Sequence, residues 1–189
     1  LEMFFGRKFK SKKEVLNFLD TKKIKIDNPK NFEEFVLSKL GKDIYDNFYK
    51  NYTIKQWNIH PSKLSKEIAG RLPIRFNRDT YYVKEKLRYM PKKGFTEMFK
   101  NMTANKRIKI KFNSDFFKIR KKLKFNHFMI YTGEPDRYFD FKYGKLDWRS
   151  LIFKFQNFKK NKVQKCVQYN FPNDFKYTRS VEIKHVTKQ

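Results

Sequence analysis

The apolar residues of this chain change their spacing near Gly70, and that change limits the fold more than any other feature. Before it, they recur at helical spacing behind capping signals. Ser11-Lys12-Lys13-Glu14 is a capping box, in which a hydroxyl and a carboxylate satisfy amides that a first helical turn leaves free. Val15, Leu16, Phe18 and Leu19 follow it, which predicts a helix over 12–20. A polar connection over 21–30 ends at Pro29. Asn31-Phe32-Glu33-Glu34 repeats the signal, with acidic residues where the helix dipole favours them. Phe32, Phe35, Val36 and Leu40 then share one face, up to the natural terminator Gly41. A further helix carries Ile44, Tyr45, Phe48 and Tyr49 as far as Asn51, and 62–69 predicts another that Gly70 stops.

After Gly70 the pattern is that of extended chain. Residues 73–77 and 80–83 look extended, and Pro91 with Gly94 marks a loop before a short helix near 95–103. Arg107 to Phe112 alternates with period two, as a half-buried strand with its lysines in water would. Residues 128–131, 151–155, 163–169 and 179–185 are four more strand candidates. Several strands with little helix between them predict an antiparallel sheet. The expected fold class is α+β: a helical region over 1–70, then an antiparallel sheet region over 71–189.

The 189 residues are enough to bury a core, and 46 Lys+Arg against 19 Asp+Glu leave a net charge of +27. Such an excess favours a polyanionic partner, nucleic acid or an anionic surface. Here the lysines are spread along the whole chain and only ten of the basic residues are Arg. The densest run, 118–124 (KIRKKLK), reads as a solvated face, so a basic nucleic-acid-binding module stays an alternative and not the leading reading. One cysteine, Cys166, forbids an internal disulfide, which points to a reducing, cytoplasmic compartment. In its strand-like setting it reads as a small buried residue. His60, His127 and His185 make no zinc spacing, and no metal site is expected. No apolar run approaches the roughly 18 residues of a membrane span. The opening Leu1-Glu2, without an initiator Met, is what a processed or excised chain would show.

Six glycines, none close enough to another to form G-x-G-x-x-G or a P-loop, leave no usual means of holding a dinucleotide. Glu134, Asp136 and Asp140 could be read as a carboxylate pair, but acids this close together in a loop more often form turns or pair with nearby lysines. No G-x-S-x-G announces a serine nucleophile. The stretch 51–75 places Tyr52 and Trp57 five residues apart, then Arg71 and Arg75 four apart. Aromatic faces and guanidinium forks suit a ligand with a flat ring at one end and phosphates at the other. The plainer reading is a helical hairpin with a core Trp and surface arginines.

Four blocks in order tip that balance: FEEFVLSKLGKDIYDNFYKNYTIKQW, LPIRFNRDTYY, YTGEPDRYFDFKYGKLDWRSL and YTRSVEIKH. Over roughly 30–185 the sequence resembles UDP-galactopyranose mutase, in the middle part of a full-length member. The family is an isomerase that interconverts UDP-galactopyranose and UDP-galactofuranose for cell-surface polysaccharides. In it, N5 of reduced FAD attacks the anomeric carbon, and protein groups hold the sugar over the flavin. The resemblance implies that Tyr52 stacks on uracil beside Phe48 and Tyr49, and that Trp57 sits on a mobile recognition loop near the sugar. Arg71 and Arg179 would clamp the diphosphate. Tyr82 would donate to a phosphate, Asn170 would line the UDP pocket, and Arg149 would position flavin or sugar. Arg75 matches as well, with a structural role equally open.

The matched part lacks the family's flavin-binding fingerprint and its C-terminal flavin-contacting segment. The expectation is therefore the UDP-sugar-binding portion of a flavoprotein, inactive alone and holding no FAD alone, with UDP or UDP-galactose as ligand and a homodimer as one possible assembly. A degenerate, non-catalytic relative is the other alternative. Asn51 and Asn58 stand where the family has glycine, and Asn tolerates left-handed backbone better than most residues. Residues 87–91 replace a run that lines the family's active site, and the stretch between Asn170 and Arg179 is one residue short.

Overall fold

The computed structural model of the chain describes residues 1–69, 76, 85–124 and 128–187. They fall into two compact units, one formed by Leu1–Arg88 with Gln156–Gln189 and the other by Tyr89–Phe155.

In the first unit a short α1 (Glu2–Phe5) precedes α2 (Lys12–Lys22), α3 (Phe32–Leu40), α4 (Lys42–Ile44), α5 (Asn51–Trp57) and α6 (Lys66–Ala69). The predicted caps are made. Ser11 Oγ accepts from the Glu14 amide at 3.2 Å, and the Glu14 carboxylate reaches back to the Lys10 amide at 2.8 Å. Asn31 and Glu34 repeat this arrangement on α3, at 3.0 and 2.7 Å. With their ends satisfied, the helices bury one stripe each. Leu19 from α2 meets Phe32, Val36 and Leu40 from α3, and Ile44, Tyr45, Leu64 and Ala69 complete the core. The Phe32 amide donates to the Leu64 carbonyl at 2.9 Å, which ties the start of α3 to the turn before α6. Gly41 ends α3 at φ +82°, and a Cβ there would stand 2.1 Å from the Lys22 carbonyl oxygen, so the close approach of α2 requires glycine.

Between α4 and α5 the chain runs through a π-helical segment, Tyr45–Lys50, without leaving the helix. Such segments re-aim the side chains that follow and recur at functional sites. Asn51 continues in right-handed helical backbone, whereas Asn58 closes α5 at φ 52°, ψ 32°. Asparagine thus replaces glycine at one position that needs left-handed backbone and at one that does not.

The second unit holds α7 (Gly94–Met102), α8 (Phe116–Ile119) and α9 (Pro135–Tyr138). None of its described residues is buried. Its organisation is an aromatic cluster: Tyr131 lies 5.1 Å from Phe116 and 4.9 Å from Tyr138, centroid to centroid. The Arg137 guanidinium stands 4.3 Å over the Phe117 ring and pairs with Asp115 at 3.1 Å. Asp136 accepts from the Leu146 amide at 3.0 Å, and Asp140 turns the chain at φ 51° while pairing with Arg120 at 3.6 Å. Asp136 and Asp140 thus shape turns, as the plainer reading had it, and the cation that Asp140 meets is an arginine and not a lysine. The lysines of 118–124 are exposed.

The sheet is smaller than expected. Among the described residues it consists of β1 (Gln168–Asn170) and β2 (Arg179–Val181), antiparallel, each three residues long. The stretches 107–112, 128–131 and 151–155 are not strands. Alternation describes a face, but a strand exists only where a second one satisfies its amides. Without a partner among the described residues, Ile108, Ile110, Phe112 and Phe128 stay exposed. Strand β1 takes only the last two residues of 163–169 and adds Asn170, β2 takes only the start of 179–185, and the α+β class holds with a two-stranded sheet. Cys166 is exposed, not buried, because the chain reaches β1 only at Gln168. The extended candidates 73–77 and 80–83 lie outside the described residues, apart from Phe76. Among the described residues no helix is long and apolar enough to cross a membrane.

Candidate functional site

Strands β1 and β2 pair so that Asn170 stands opposite Arg179. The Phe171 amide donates to the Thr178 carbonyl at 2.9 Å, closing the hairpin, and its loop is walled by rings. Phe175 and Tyr177 stack at 5.1 Å and 8°, and Phe171 meets both edge-on. Below the strands, the Glu182 carboxylate accepts from the Gln164 amide at 2.8 Å and the Val163 amide at 3.1 Å. The Gln164 hydrogen bond above all, with His185 beside it, holds this carboxyl below the usual range.

The hairpin loop seats on α5 and the π segment. Asn51 donates through Nδ2 to Asn173 Oδ1 at 3.0 Å, and Asn173 Nδ2 donates to the Asn47 carbonyl at 2.9 Å. Lys55 Nζ donates to the carbonyls of Phe171 and Asp174, the latter at 3.1 Å, with those of Phe175 and Tyr177 at 3.3 Å. This seating brings Arg179 Nη2 to the Tyr52 hydroxyl, where it donates at 2.9 Å across 127 positions of sequence. Among the described residues Tyr52 is the hydrogen-bond partner of Arg179, whose guanidinium is exposed. A half-buried phenol and an exposed guanidinium side by side offer an aromatic face and several N–H donors, which suit a flat ring and an anionic group.

The other expected site residues are placed less uniformly. Asn170 joins the pair through its register opposite Arg179. Phe48 is exposed and meets the Phe4 ring edge-on at 4.9 Å. Tyr49 turns inward against the core with its ring 6.2 Å from Phe32, and burial pushes its hydroxyl pKa up. Trp57 is the last residue of α5, packed against the core and not on a loop, because α5 continues to the left-handed cap at Asn58. Arg149, in the second unit, is exposed and donates through Nη1 to the Trp148 carbonyl at 2.9 Å. Arg71, Arg75 and Tyr82 lie outside the described residues. Among the described residues no three His, Cys, Asp or Glu side chains gather as metal ligands would.

Sequence reasoning passed over Lys55, Asn47 and Asn173. The spacing carried a signal for Lys55, which stands three residues after Tyr52 and so shares its helix face. Asn173 had none, because only the folded hairpin brings it to the helix.

Comparison with known proteins shows the family. A family model for UDP-galactopyranose mutase matches residues 47–189, a range that holds both the helix bearing Tyr52 and the hairpin bearing Arg179. A probable UDP-galactopyranose mutase of Klebsiella pneumoniae is 36% identical over 161 residues, covering 85% of this chain and 41% of the relative. The UDP-galactopyranose mutase of Mycoplasma genitalium is 32% identical over 173 residues, 87% of this chain and 41% of the relative. A dTDP-fucopyranose mutase of Escherichia coli is 30% identical over 168 residues, 86% of this chain and 44% of the relative. The chain thus spans about two-fifths of the length of the curated relatives it matches. It belongs to the UDP-galactopyranose mutase family.

Proposed function

We propose that this chain is the UDP-sugar-binding portion of a UDP-galactopyranose mutase-like protein, equivalent to the middle part of an FAD-dependent mutase. The observation that carries the reading is the Arg179–Tyr52 pair, closed at 2.9 Å by two segments far apart in sequence. In this reading the helical region over 1–70 recognises the nucleotide, with Tyr52 stacking on uracil. Arg179 holds a diphosphate oxygen, helped by Arg71 and Tyr82, and Asn170 borders the pocket. Phe48, Tyr49 and Trp57 support the recognition helix, the last two from its core side. The region 71–189 supplies the hairpin, and Arg149 is assigned to flavin or sugar.

The described residues do not offer FAD the site it takes in a dinucleotide-binding fold. A flavin dinucleotide needs backbone amides gathered at a glycine turn between a strand and a helix. Among the described residues Gly94 opens α7 from a loop and Gly144 stands alone in a turn. No chemical step is therefore assigned to these side chains. Their part is to bind and orient, which contributes to rate by fixing the substrate's geometry.

Titration calorimetry with UDP and dTDP tests the reading, and the pair of ligands also separates the two base types named among the relatives. Micromolar to millimolar UDP binding is expected, weakened by Arg179→Ala by about 1.5–3 kcal/mol for the loss of one charge-assisted contact. A chain that binds neither nucleotide, or one whose affinity ignores Arg179→Ala, overturns it.

A further inference from the structure

We propose that Lys55 is a positioning residue: its ammonium, set among the carbonyls of the hairpin loop, holds Arg179 against Tyr52 in readiness for the nucleotide diphosphate. The proposal rests on the functional reading above, and adds to it a residue that does not itself face the ligand.

Four main-chain carbonyls, from Phe171, Asp174, Phe175 and Tyr177, converge on Lys55 Nζ. An ammonium has three N–H bonds, so these acceptors saturate it and leave it no donor for a phosphate. Converging carbonyls present their negative ends to one another, and a cation set among them offsets that repulsion. The loop also holds Phe175 at φ 58°, left-handed backbone that an aromatic residue adopts only where its surroundings over-determine it. No carboxylate among the described residues lies within ion-pair distance of Lys55, so the carbonyls are its main partners. Burial lowers its pKa while the charge of Asp174 opposes the shift.

Lys55 and Tyr52 lie three residues apart on α5, and the loop that Lys55 gathers leads directly into β2, which begins at Arg179. One helix face therefore carries the phenol and the anchor for the strand bearing its guanidinium partner. Asn173 is a second, weaker anchor, through Asn51 and the Asn47 carbonyl. The π segment that offers this carbonyl immediately precedes α5.

The test combines a ligand-free readout with a double-mutant cycle on the full chain. Lys55→Met keeps the length of the side chain and removes the charge. It is expected to speed amide hydrogen exchange across 170–179 and to weaken UDP binding at least tenfold. In an Arg179→Ala background the same substitution should cost less than twofold, because a residue acting through Arg179 has nothing left to position. A general structural role would lower affinity equally in both backgrounds, and that result overturns the proposal. So does unchanged exchange over 170–179. A wild-type chain that binds UDP, with an affinity that ignores Lys55→Met, overturns the positioning role alone. A wild-type chain that binds no UDP overturns the functional reading, and this role in binding with it. Should Lys55→Met fail to fold, Asn173→Ala tests the same seating from the exposed side, with the same direction expected and a smaller loss. An unchanged affinity there overturns the proposal.

Discussion

Leu19 and Val36 each keep 2% of their surface in water, whereas Ile152 and Phe155 keep 89% and 93%. All four are large and apolar, so hydrophobicity does not separate them. The first two sit on capped helices whose apolar residues recur along one face, so two helices meeting once bury all of them together. The last two lie in irregular chain outside the helices and the two-strand ladder. The second unit instead organises its rings around a guanidinium, with Arg137 over Phe117 and Tyr131 between Phe116 and Tyr138. Stability in the first unit should therefore follow buried area, and in the second it should follow a few polar and aromatic contacts.

The largest expected effect tests that contrast directly. Leu19→Ala opens a cavity in the helical core and should cost about 2–5 kcal/mol. Phe155→Ala removes a larger but exposed side chain and should change stability by no more than about 0.5 kcal/mol. Urea unfolding followed by far-UV circular dichroism measures both. Comparable losses at the two positions would break the contrast.

The same contrast explains how much could be read in advance. Helices are local: Ser11, Asn31 and Gly41 announce the ends of α2 and α3 in the sequence, and the structure makes those caps. Strands are not local. The alternation of 107–112 fixes which residues would share a face, but it names no partner, and among the described residues that stretch is not a strand. The candidate site divides along the same line. Tyr52, Asn170 and Arg179 were named through motif resemblance; the structure pairs Arg179 with Tyr52 and sets Asn170 opposite Arg179 in the ladder. Trp57 was legible as a residue but not in its setting, since the length of α5 decides whether it lies on a loop. Asn173 and the carbonyls around Lys55 could not be read at all. Main-chain carbonyls are the same in every sequence, and only loop geometry aims them.

A smaller effect concerns acid. In the second unit Asp115 accepts from the Phe117 amide at 2.8 Å, and Asp136 accepts from the Leu146 amide. Those hydrogen bonds, first among the causes, hold both carboxyls below the usual aspartate range. A carboxyl with a depressed native pKa contributes stability above its unfolded value of about 3.9, and that contribution is lost as pH falls through the native value. Below about pH 4 the turns at Phe117 and Leu146 should therefore lose amide protection, as should the Lys10 amide that Glu14 holds at the start of α2, while the core amides around Leu19 and Val36 keep theirs. Protection factors from nuclear magnetic resonance at pH 5, 4 and 3 measure this. Core amides that loosen first would reverse the assignment of polar control to the second unit.

The smallest expected effect lies inside the core and asks whether apolar burial there tolerates an unmatched polar atom. Tyr45 keeps 2% of its surface, and among the described residues its buried hydroxyl meets no partner at hydrogen-bond distance. Burial first, and then the nearby Glu33 carboxylate, push its pKa up. A buried hydroxyl that makes no bond has lost its water and gained nothing, so Tyr45→Phe removes a cost while leaving the ring in place. The substitution should be neutral or stabilising, by no more than about 1 kcal/mol. Tyr143→Phe, at a ring 80% exposed in the second unit, should do nothing measurable. Thermal unfolding of the two variants beside the parent gives the answer. A loss at Tyr45→Phe would mean that the hydroxyl donates to Glu33 in solution, which would make the helical core partly polar in its control and narrow its difference from the second unit.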